Sequence, residues 1–452
     1  MPDPFVIAVA ITLLTALLAS ALDGLGPLAL SRAWLGTRER GLWSLLAFSM
    51  QMVLILVTGH ALASAPPVAR LVRRLAALPR TGAQAAALVG LVAVACSLLH
   101  WGLGLIVGAL SAREVGRAAR EHQRPIHYPL VCAAGYVGMM TWHGGLSGSA
   151  PLKVTTRGDL VELLGPELGA KVAPIPFTES VFGGPNLLVT GGLVVLVPLV
   201  LAAMAPREAE ELEPAPLSSS PAREAAVAVE ASTPTPPTLP ERIEESRLVA
   251  AGVVLLLASG VFVWWVDTGP SALDPNALNL MFLTLGLALH GRLRSYLGAC
   301  EEAVRGTSGI VLQFPLYAGI MGLVANTSLG ARLAGAVSEL ATPASFAVWT
   351  FLSSAVLNVF VPSGGGQWAL QGPIALRAAT ELCVEPRLAV MAVAYGDQLT
   401  NMLQPFWALP LLGITKVRAR DIVGYTVVVM LVGAVWIAGV LTLVSLRASA
   451  GC

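Results

Sequence analysis

Charge, lysine and cysteine are all scarce in this sequence, and each shortage excludes something. Asp, Glu, Lys and Arg make up 12% of the 452 residues, about half the share of a soluble domain, which excludes an ordinary water-facing globule. The two signs nearly cancel, leaving a net charge of +1. There is therefore no basic field for nucleic acid, and no such partner is expected. Lysine occurs only as Lys153, Lys171 and Lys416, all in expected loops, so none is available inside to hold a substrate charge. The five cysteines (Cys96, Cys132, Cys300, Cys383, Cys452) are scattered and show neither a metal spacing nor a disulfide frame. They read as small apolar packing residues, and neither a metal nor an organic cofactor is expected.

Hydrophobic residues supply 55% of the chain, and the mean hydropathy is +0.73. Apolar runs near bilayer-crossing length recur at 5–22, 84–99, 248–266 and 421–445. The expected spans are 4–22, 43–64, 84–111, 248–266, 277–290, 307–325 and 421–445. Two further regions, 127–204 and 343–414, are apolar but interrupted by Gly, Pro and polar residues. The class is an all-α polytopic membrane protein with about nine to eleven transmembrane helices. The opening "MPDPFVIAVAITLLTALLAS" lacks the basic start of a signal peptide and reads as a first spanning helix that is kept.

Between the apolar parts, residues 205–247 contain "REAEELEPAPLSSSPAREAAVAVEASTPTPPTLPER". Such a composition cannot build a core. It reads as a disordered aqueous linker between a first membrane half, 1–204, and a second, 248–452. Each half shows ordinary spans, then a Gly-rich interruption, then a second polar one. Gly144 to Ser180 and Gly364 to Thr400 are both 36 residues apart. Interrupted helices in corresponding places point to a transporter's binding site. Arg292, Arg294 and Arg305 in one loop, with Lys416, Arg418 and Arg420 in another, place those loops and the linker in the cytoplasm. An inverted repeat needs an odd number of crossings, and the first half shows four clear ones. Either 156–176 hides part of a crossing or the halves are not inverted.

The stretch "PSGGGQWALQGP" (362–373) sets three glycines inside an apolar segment, and "WHGGLSGSAP" (142–151) is a related phrase upstream. Lipid cannot hydrogen-bond bare peptide groups, so a break there needs protein or water around it. Arms at 344–361 and 367–380 suit a re-entrant helical hairpin; the second arm is 14 residues long, roughly 21 Å. Each half is thus expected to carry one such hairpin and one discontinuous helix. A hairpin tip offers unpaired N–H groups and the positive end of a helix dipole to an anion such as a carboxylate, and glycine lets the anion approach the backbone. The candidate substrate-binding residues are His143, Gly144, Gly145, Ser147 and Ser149 at the first tip, with Ser363, Gly364, Gly365, Gly366, Gln367 and Gln371 at the second, and Asn401. Close helix packing is the plain alternative for these glycines.

The second interruption, "AYGDQLTNMLQPFW" (394–407), gathers polar groups in an apolar context, where an ionisable residue is costly and normally faces a cavity. Asp397, Thr400 and Gln404 are candidates for ion coupling. Thr178, Glu179, Ser180 and Asn186 of "PFTESVFGGPN" are their counterparts in the first half. The carboxylates could instead be interfacial residues in water. His143 suits either a proton relay or backbone capping, and the other histidines (His60, His100, His122, His127, His290) lie near span ends with no assigned role. A hydrolase using Ser147 or Ser149 with His143 lacks an acid nearby in sequence to orient the base, so no catalytic residue is assigned.

Several phrases together resemble the AtoE-type short-chain fatty acid transporter family, within the ion transporter superfamily. They are "NVFVPSGGGQWALQGP" (358–373), "WHGGLSGSAPLK" (142–153), "LQFPLYAGIMG" (312–322), "GDQLTNMLQPFWALPLLGI" (396–414), "LLAFSMQMVLILVTGHALA" (45–63) and "LLHWGLGLIVGAL" (98–110). The likeness skips the linker. It implies a non-enzymatic secondary transporter of small monocarboxylates such as acetoacetate or butyrate in the bacterial inner membrane. Two re-entrant hairpins and alternating access are implied as well. The expected partners are the carboxylate, the bilayer and Na⁺ or H⁺ as coupling ion, with homodimerisation left open. Another organic-anion transporter or a Na⁺/H⁺ exchanger of the same superfamily is the alternative.

Overall fold

A backbone in lipid can satisfy its polar groups only through its own helical ladder, and every regular element among the described residues is helical. The computed structural model describes residues 4–37, 40–161, 164, 169, 172–206, 238–268, 274–335 and 341–449. The first half comprises α1 (Pro4–Asp23), α2 (Pro27–Leu35), α3 (Leu46–Ser64), α4 (Pro66–Ala76), α5 (Gly82–Leu99) and α6 (Trp101–Glu121). There follow α7 (Tyr128–Tyr136), 3-10 turns at Val137–Met140 and Trp142–Gly144, α8 (Ser149–Leu152) and α9 (Gly184–Ala203). The second half comprises α10 (Leu239–Glu245), α11 (Arg247–Thr268), α12 (Pro275–His290), α13 (Leu293–Val304), α14 (Ser308–Ala325) and α15 (Leu329–Gly335). It continues with α16 (Phe346–Phe360), α17 (Gly364–Glu381), α18 (Pro386–Thr400), a 3-10 turn at Asn401–Leu403, α19 (Pro405–Thr415) and α20 (Ala419–Ser449).

Among the described residues, seven helices (α1, α3, α5, α9, α11, α14 and α20) are long and apolar enough to cross a bilayer. The all-α membrane class is therefore correct, and the chain is an integral membrane protein. Two expected spans change form. Residues 84–111 are not one helix but two, because His100 is extended (φ −157°, ψ 129°) and its Nδ1 accepts the Gly102 N–H at 3.1 Å. The α5 and α6 helices run back antiparallel, with Ser97 against Gly104 and Ala93 against Gly108. The 277–290 span is α12, whose 16 residues cover about 24 Å; it still brings the chain back to the end of α3, where His290 meets the Ala61 carbonyl at 2.8 Å. Most of the expected linker, 207–237, lies outside the described residues. Its end is ordered: Thr238 and Glu241 form a capping box that starts α10.

Contacts sort the helix ends onto two faces. On one, Ser64, Arg113, Glu302 and Lys416 line a common cavity, and Arg292 pairs with Glu245 at 2.8 Å. On the other, Asp23 at the end of α1 accepts the Ser328 N–H at 2.8 Å. The α5/α6 hairpin follows α4 and enters from the basic face; the α16/α17 hairpin follows α14 and α15 and enters from the opposite face. After each hairpin comes a helix that breaks into a 3-10 turn, α7 in the first half and α18 in the second. The halves are therefore inverted, and α11 is the odd crossing between them. The first hairpin is α5/α6, with its turn at His100. Residues 142–151 are not a hairpin tip as expected but the break of the helix that follows.

Close approach of backbones holds this arrangement. A Cβ on Gly135 would stand 2.6 Å from the Gly108 carbonyl oxygen, and one on Gly108 would collide with the Gly135 carbonyl. The α18 helix is buried along its whole length from Leu388 to Thr400, whereas α11 exposes Leu255 and Phe262 outward. Gly108→Val should lower the thermal midpoint of the detergent-solubilised protein, consistent with an overpacking cost of about 1–3 kcal/mol or more. Gly252→Val on α11, where nothing lies within 4 Å of the added atom, should not. Equal behaviour of the two variants in fluorescence size-exclusion melting would contradict the packing described.

Candidate functional site

The two broken helices meet at the centre of the bundle. His143, in the break after α7, and Asp397, on the buried α18, are 0% and 1% exposed, with Nδ1 and Oδ2 2.6 Å apart. His143 Nε2 is 3.0 Å from the Ala150 N–H. A backbone N–H can only donate, so Nε2 accepts and Nδ1 carries the proton that it donates to the carboxylate. The imidazole is thereby held neutral in one tautomer. Asp397 Oδ1, the second carboxylate oxygen, is buried and faces no donor among the described residues. A dry carboxylate with one oxygen unpaired is costly, and it has the chemistry to accept a proton or a small cation.

Neighbouring groups fix this pair. The His143 and Gly144 N–H groups both donate to Gln398 Oε1, at 3.1 and 3.2 Å. The amides expected to receive a ligand at the first phrase are thus filled by the protein itself. Asn186 donates to the Gly144 carbonyl at 2.9 Å and to the Val181 carbonyl at 2.6 Å. Its Oδ1 accepts from Thr190 at 2.7 Å and from Tyr395 at 3.0 Å. Trp142 stacks on the His143 ring with centroids 4.3 Å apart.

The second phrase closes on the first. The helix break falls at 361–363, and the three glycines form the first turn of α17. Ser363 caps that turn, its Oγ accepting the Gly366 N–H at 3.3 Å, and Gln367 N bonds the Ser363 carbonyl at 2.7 Å. The Gly364 and Gly365 N–H groups begin the helix, where no preceding turn supplies acceptors. A Cβ on Gly364 would lie 2.6 Å from the Trp142 ring and 3.0 Å from the His143 ring. Only glycine allows this approach. Gly365 is exposed, and its nearest neighbour is the half-buried Ser149 hydroxyl, 4.0 Å from where a Cβ would stand. The space at Gly365, beside Ser149 and Ser363, is therefore open.

The other expected residues divide. Asn401 and Thr400 receive the Asn358 side-chain amide at 3.1 and 3.0 Å. The Gln404 side chain donates to the Asn358 carbonyl. Together these tie the α18 break to the hairpin. Gln367 and Gln371 bond to Ser354 and Ser353 on the hairpin's own first arm, at 2.6 and 2.9 Å, and so turn away from the opening. Ser147 accepts the Trp101 N–H at 3.0 Å and caps α6. Gly145 packs against the Leu98 carbonyl. Thr178 and Glu179 are exposed, Ser180 bonds the Pro176 carbonyl at 3.1 Å, and none of the three joins the cluster. Because His143 Nε2 is already occupied, it cannot take a proton from a serine, and no nucleophile is activated here.

Sequence reasoning missed Gln398, Asn358, Tyr136 and Tyr395. Tyr136 donates to the Asn401 and Gln404 carbonyls at 2.7 and 3.2 Å, bridging the two breaks. Asn358 and Gln398 stood inside the motifs already singled out. The same test that picked Asp397, a polar side chain in an apolar run, applies to both.

Polar helix breaks from two inverted halves, meeting inside an apolar bundle, define a membrane transporter. The chain belongs to the short chain fatty acid transporter family, whose model matches residues 1–444. It is 38% identical over 437 residues to an Escherichia coli (strain K12) protein named "Putative short-chain fatty acid transporter", covering 96% of this chain and 94% of that one. A Haemophilus influenzae protein of the same name is 37% identical over 427 residues, covering 94% and 92%. Among solved structures, the Alcanivorax borkumensis YdaH transporter aligns over 98% of both chains at 16% identity and a TM-score of 0.43. Neisseria gonorrhoeae MtrF, described as belonging to a class of antimetabolite efflux pumps, aligns at 15% identity and 0.43, over 98% of this chain and 95% of its own.

A buried carboxylate that loses its hydrogen-bond donor is left unsatisfied, at a cost of about 1–3 kcal/mol or more for a charged group. His143→Ala should therefore lower the thermal midpoint strongly. Adding Asp397→Asn to that variant should restore much of the loss. If the double variant is as unstable as the two single losses summed, the pairing is refuted.

Proposed function

We propose that the protein is a secondary transporter that carries short-chain monocarboxylates, such as acetoacetate or butyrate, across the bacterial inner membrane by alternating access. The observation that supports this reading is the Asp397–His143 pair lying directly behind the Gly364 and Gly365 amides. The carboxylate of the substrate takes the two N–H groups at the head of α17, where the helix dipole favours an anion, and the Ser149 hydroxyl. Trp142 and Met321, which packs 3.0 Å from the Cβ position of Gly366, form apolar wall for a short alkyl tail.

Coupling follows from charge. With a neutral imidazole, Asp397 leaves the site negative, and a second anion entering a medium of low dielectric is repelled. A cation on Asp397, either a proton on the carboxylate or Na⁺ at Oδ1, removes that repulsion. Ion and acid are then favoured together and disfavoured singly, which is the requirement for symport.

Uptake by reconstituted vesicles, with C2–C8 acids under imposed Na⁺ and H⁺ gradients, tests the reading. Gly365→Val fills the opening without meeting packed atoms, so it should abolish uptake while leaving the thermal midpoint unchanged. Asp397→Asn should permit equilibration of the acid but not accumulation against its gradient. Unchanged uptake by Gly365→Val would remove the tip from the mechanism, and Na⁺/H⁺ exchange without organic acid would replace the proposed activity.

A further inference from the structure

A second polar cavity opens on the basic face, separate from the site between the broken helices. Its volume is about 240 Å³, and it lies between α3, α4, α6, α13 and α19. Four cations line it (Arg73, Arg113, Arg117 and Lys416) against two carboxylates (Glu114 and Glu302), an excess of two positive charges. The buried acid is committed. Glu114 takes Arg113 at 3.2 Å and Arg117 at 3.3 Å. Among the described residues, no carboxylate lies within ion-pair distance of Arg73 or Lys416.

The histidine of this wall is the independent sign of a ligand. His60 is 5% exposed, and the Arg113 guanidinium approaches its Nδ1 at 3.4 Å. A guanidinium only donates, so Nδ1 accepts and the proton sits on Nε2. Its one contact among the described residues is the pair with Glu302 Oε2 at 3.9 Å, which holds the Glu302 carboxyl below the ordinary carboxylate range; at that length the contact is too long for a hydrogen bond, and the buried N–H stays unsatisfied. A buried donor left open is costly, and here it stands in the wall of a cationic cavity. Lys416 adds a structural cost of its own. It ends α19 in the left-handed conformation, φ 62°, a position that glycine normally fills. The strained backbone holds a cation at the rim.

We infer that this cavity binds a phosphate-type dianion, held by Arg73 and Lys416 together with the His60 Nε2–H. Two uncommitted cations and a neutral donor match a group carrying two negative charges and several acceptor oxygens. The dianion has two sources, free phosphate from solution or the headgroup of a phosphomonoester lipid. The second fits α4, where Leu71 and Leu75 are exposed on the same helix as Arg70, Arg73 and Arg74, as in a helix lying at a membrane surface.

The experiment uses the full-length protein, delipidated in neutral detergent, with no transported acid present, so its failure and the failure of the transport reading are distinguishable. Inorganic phosphate is titrated against chloride at equal ionic strength, with the thermal midpoint as readout. In parallel, the protein is placed in phosphatidylcholine nanodiscs with and without phosphatidic acid. Saturating dianion should raise the midpoint by roughly 2–4 °C. A response to phosphate in detergent assigns the soluble source, and a response to phosphatidic acid alone assigns the lipid. Arg73→Ala and Lys416→Ala, both at exposed positions, should each weaken the response about tenfold or more, and Arg73→Lys should retain most of it. No shift in either arm overturns the site, as does an undiminished response in the Arg73→Ala/Lys416→Ala double variant.

Discussion

One carboxylate placed in a dry interior constrains the rest of the molecule. Asp397 is held by a single imidazole, whose tautomer is set by one backbone N–H from Ala150. For that N–H to reach Nε2, the chain must leave helical geometry between Tyr136 and Ser149. Leaving it strips the ladder from several buried peptide groups, each of which needs a new partner. Gln398 and Asn186 are those partners. Replacing either by an apolar side chain would leave a buried peptide group with no water to turn to.

The satisfaction is reciprocal between the halves. The donors exposed by the first break, His143 N and Gly144 N, are answered by Gln398 from the second half. The acceptors exposed by the second break, the Asn401 and Gln404 carbonyls, are answered by Tyr136 from the first. Separating the two breaks would orphan at least four buried backbone groups, each worth about 1–3 kcal/mol. The two breaks are therefore held together as one body.

How much of this was legible in the sequence depends on the length scale of the signal. Class was legible because hydropathy is a property of whole segments, and α1, α3 and α20 fall where the apolar runs predicted. Asp397, His143 and the Ser-Gly-Gly-Gly turn were legible because each violates the composition around it. Pairing between elements was not. The 84–111 run is apolar throughout, and only the extended backbone at His100, fixed by its ring nitrogen on Gly102, reveals a hairpin there. With that turn hidden, the next glycine-rich phrase, 142–151, took its place, and the equal spacing of 36 residues aligned parts of the halves that do not correspond. Gln367 and Gln371 failed for a related reason: their distance from the tip in sequence says nothing about which face of α17 they occupy, and they face Ser353 and Ser354.

The inverted relation also explains α11, the least buried of the spanning helices. Among the described residues each half shows four crossings and one helical hairpin. Four crossings bring the chain back to the basic face, so a second copy begun there would run parallel to the first. Inversion requires one more crossing, and α11 supplies it from the end of α10. Its length and apolar surface are what the bilayer demands, while the packing surface that a structural helix would need is largely missing, with Leu255, Leu256 and Phe262 all turned outward.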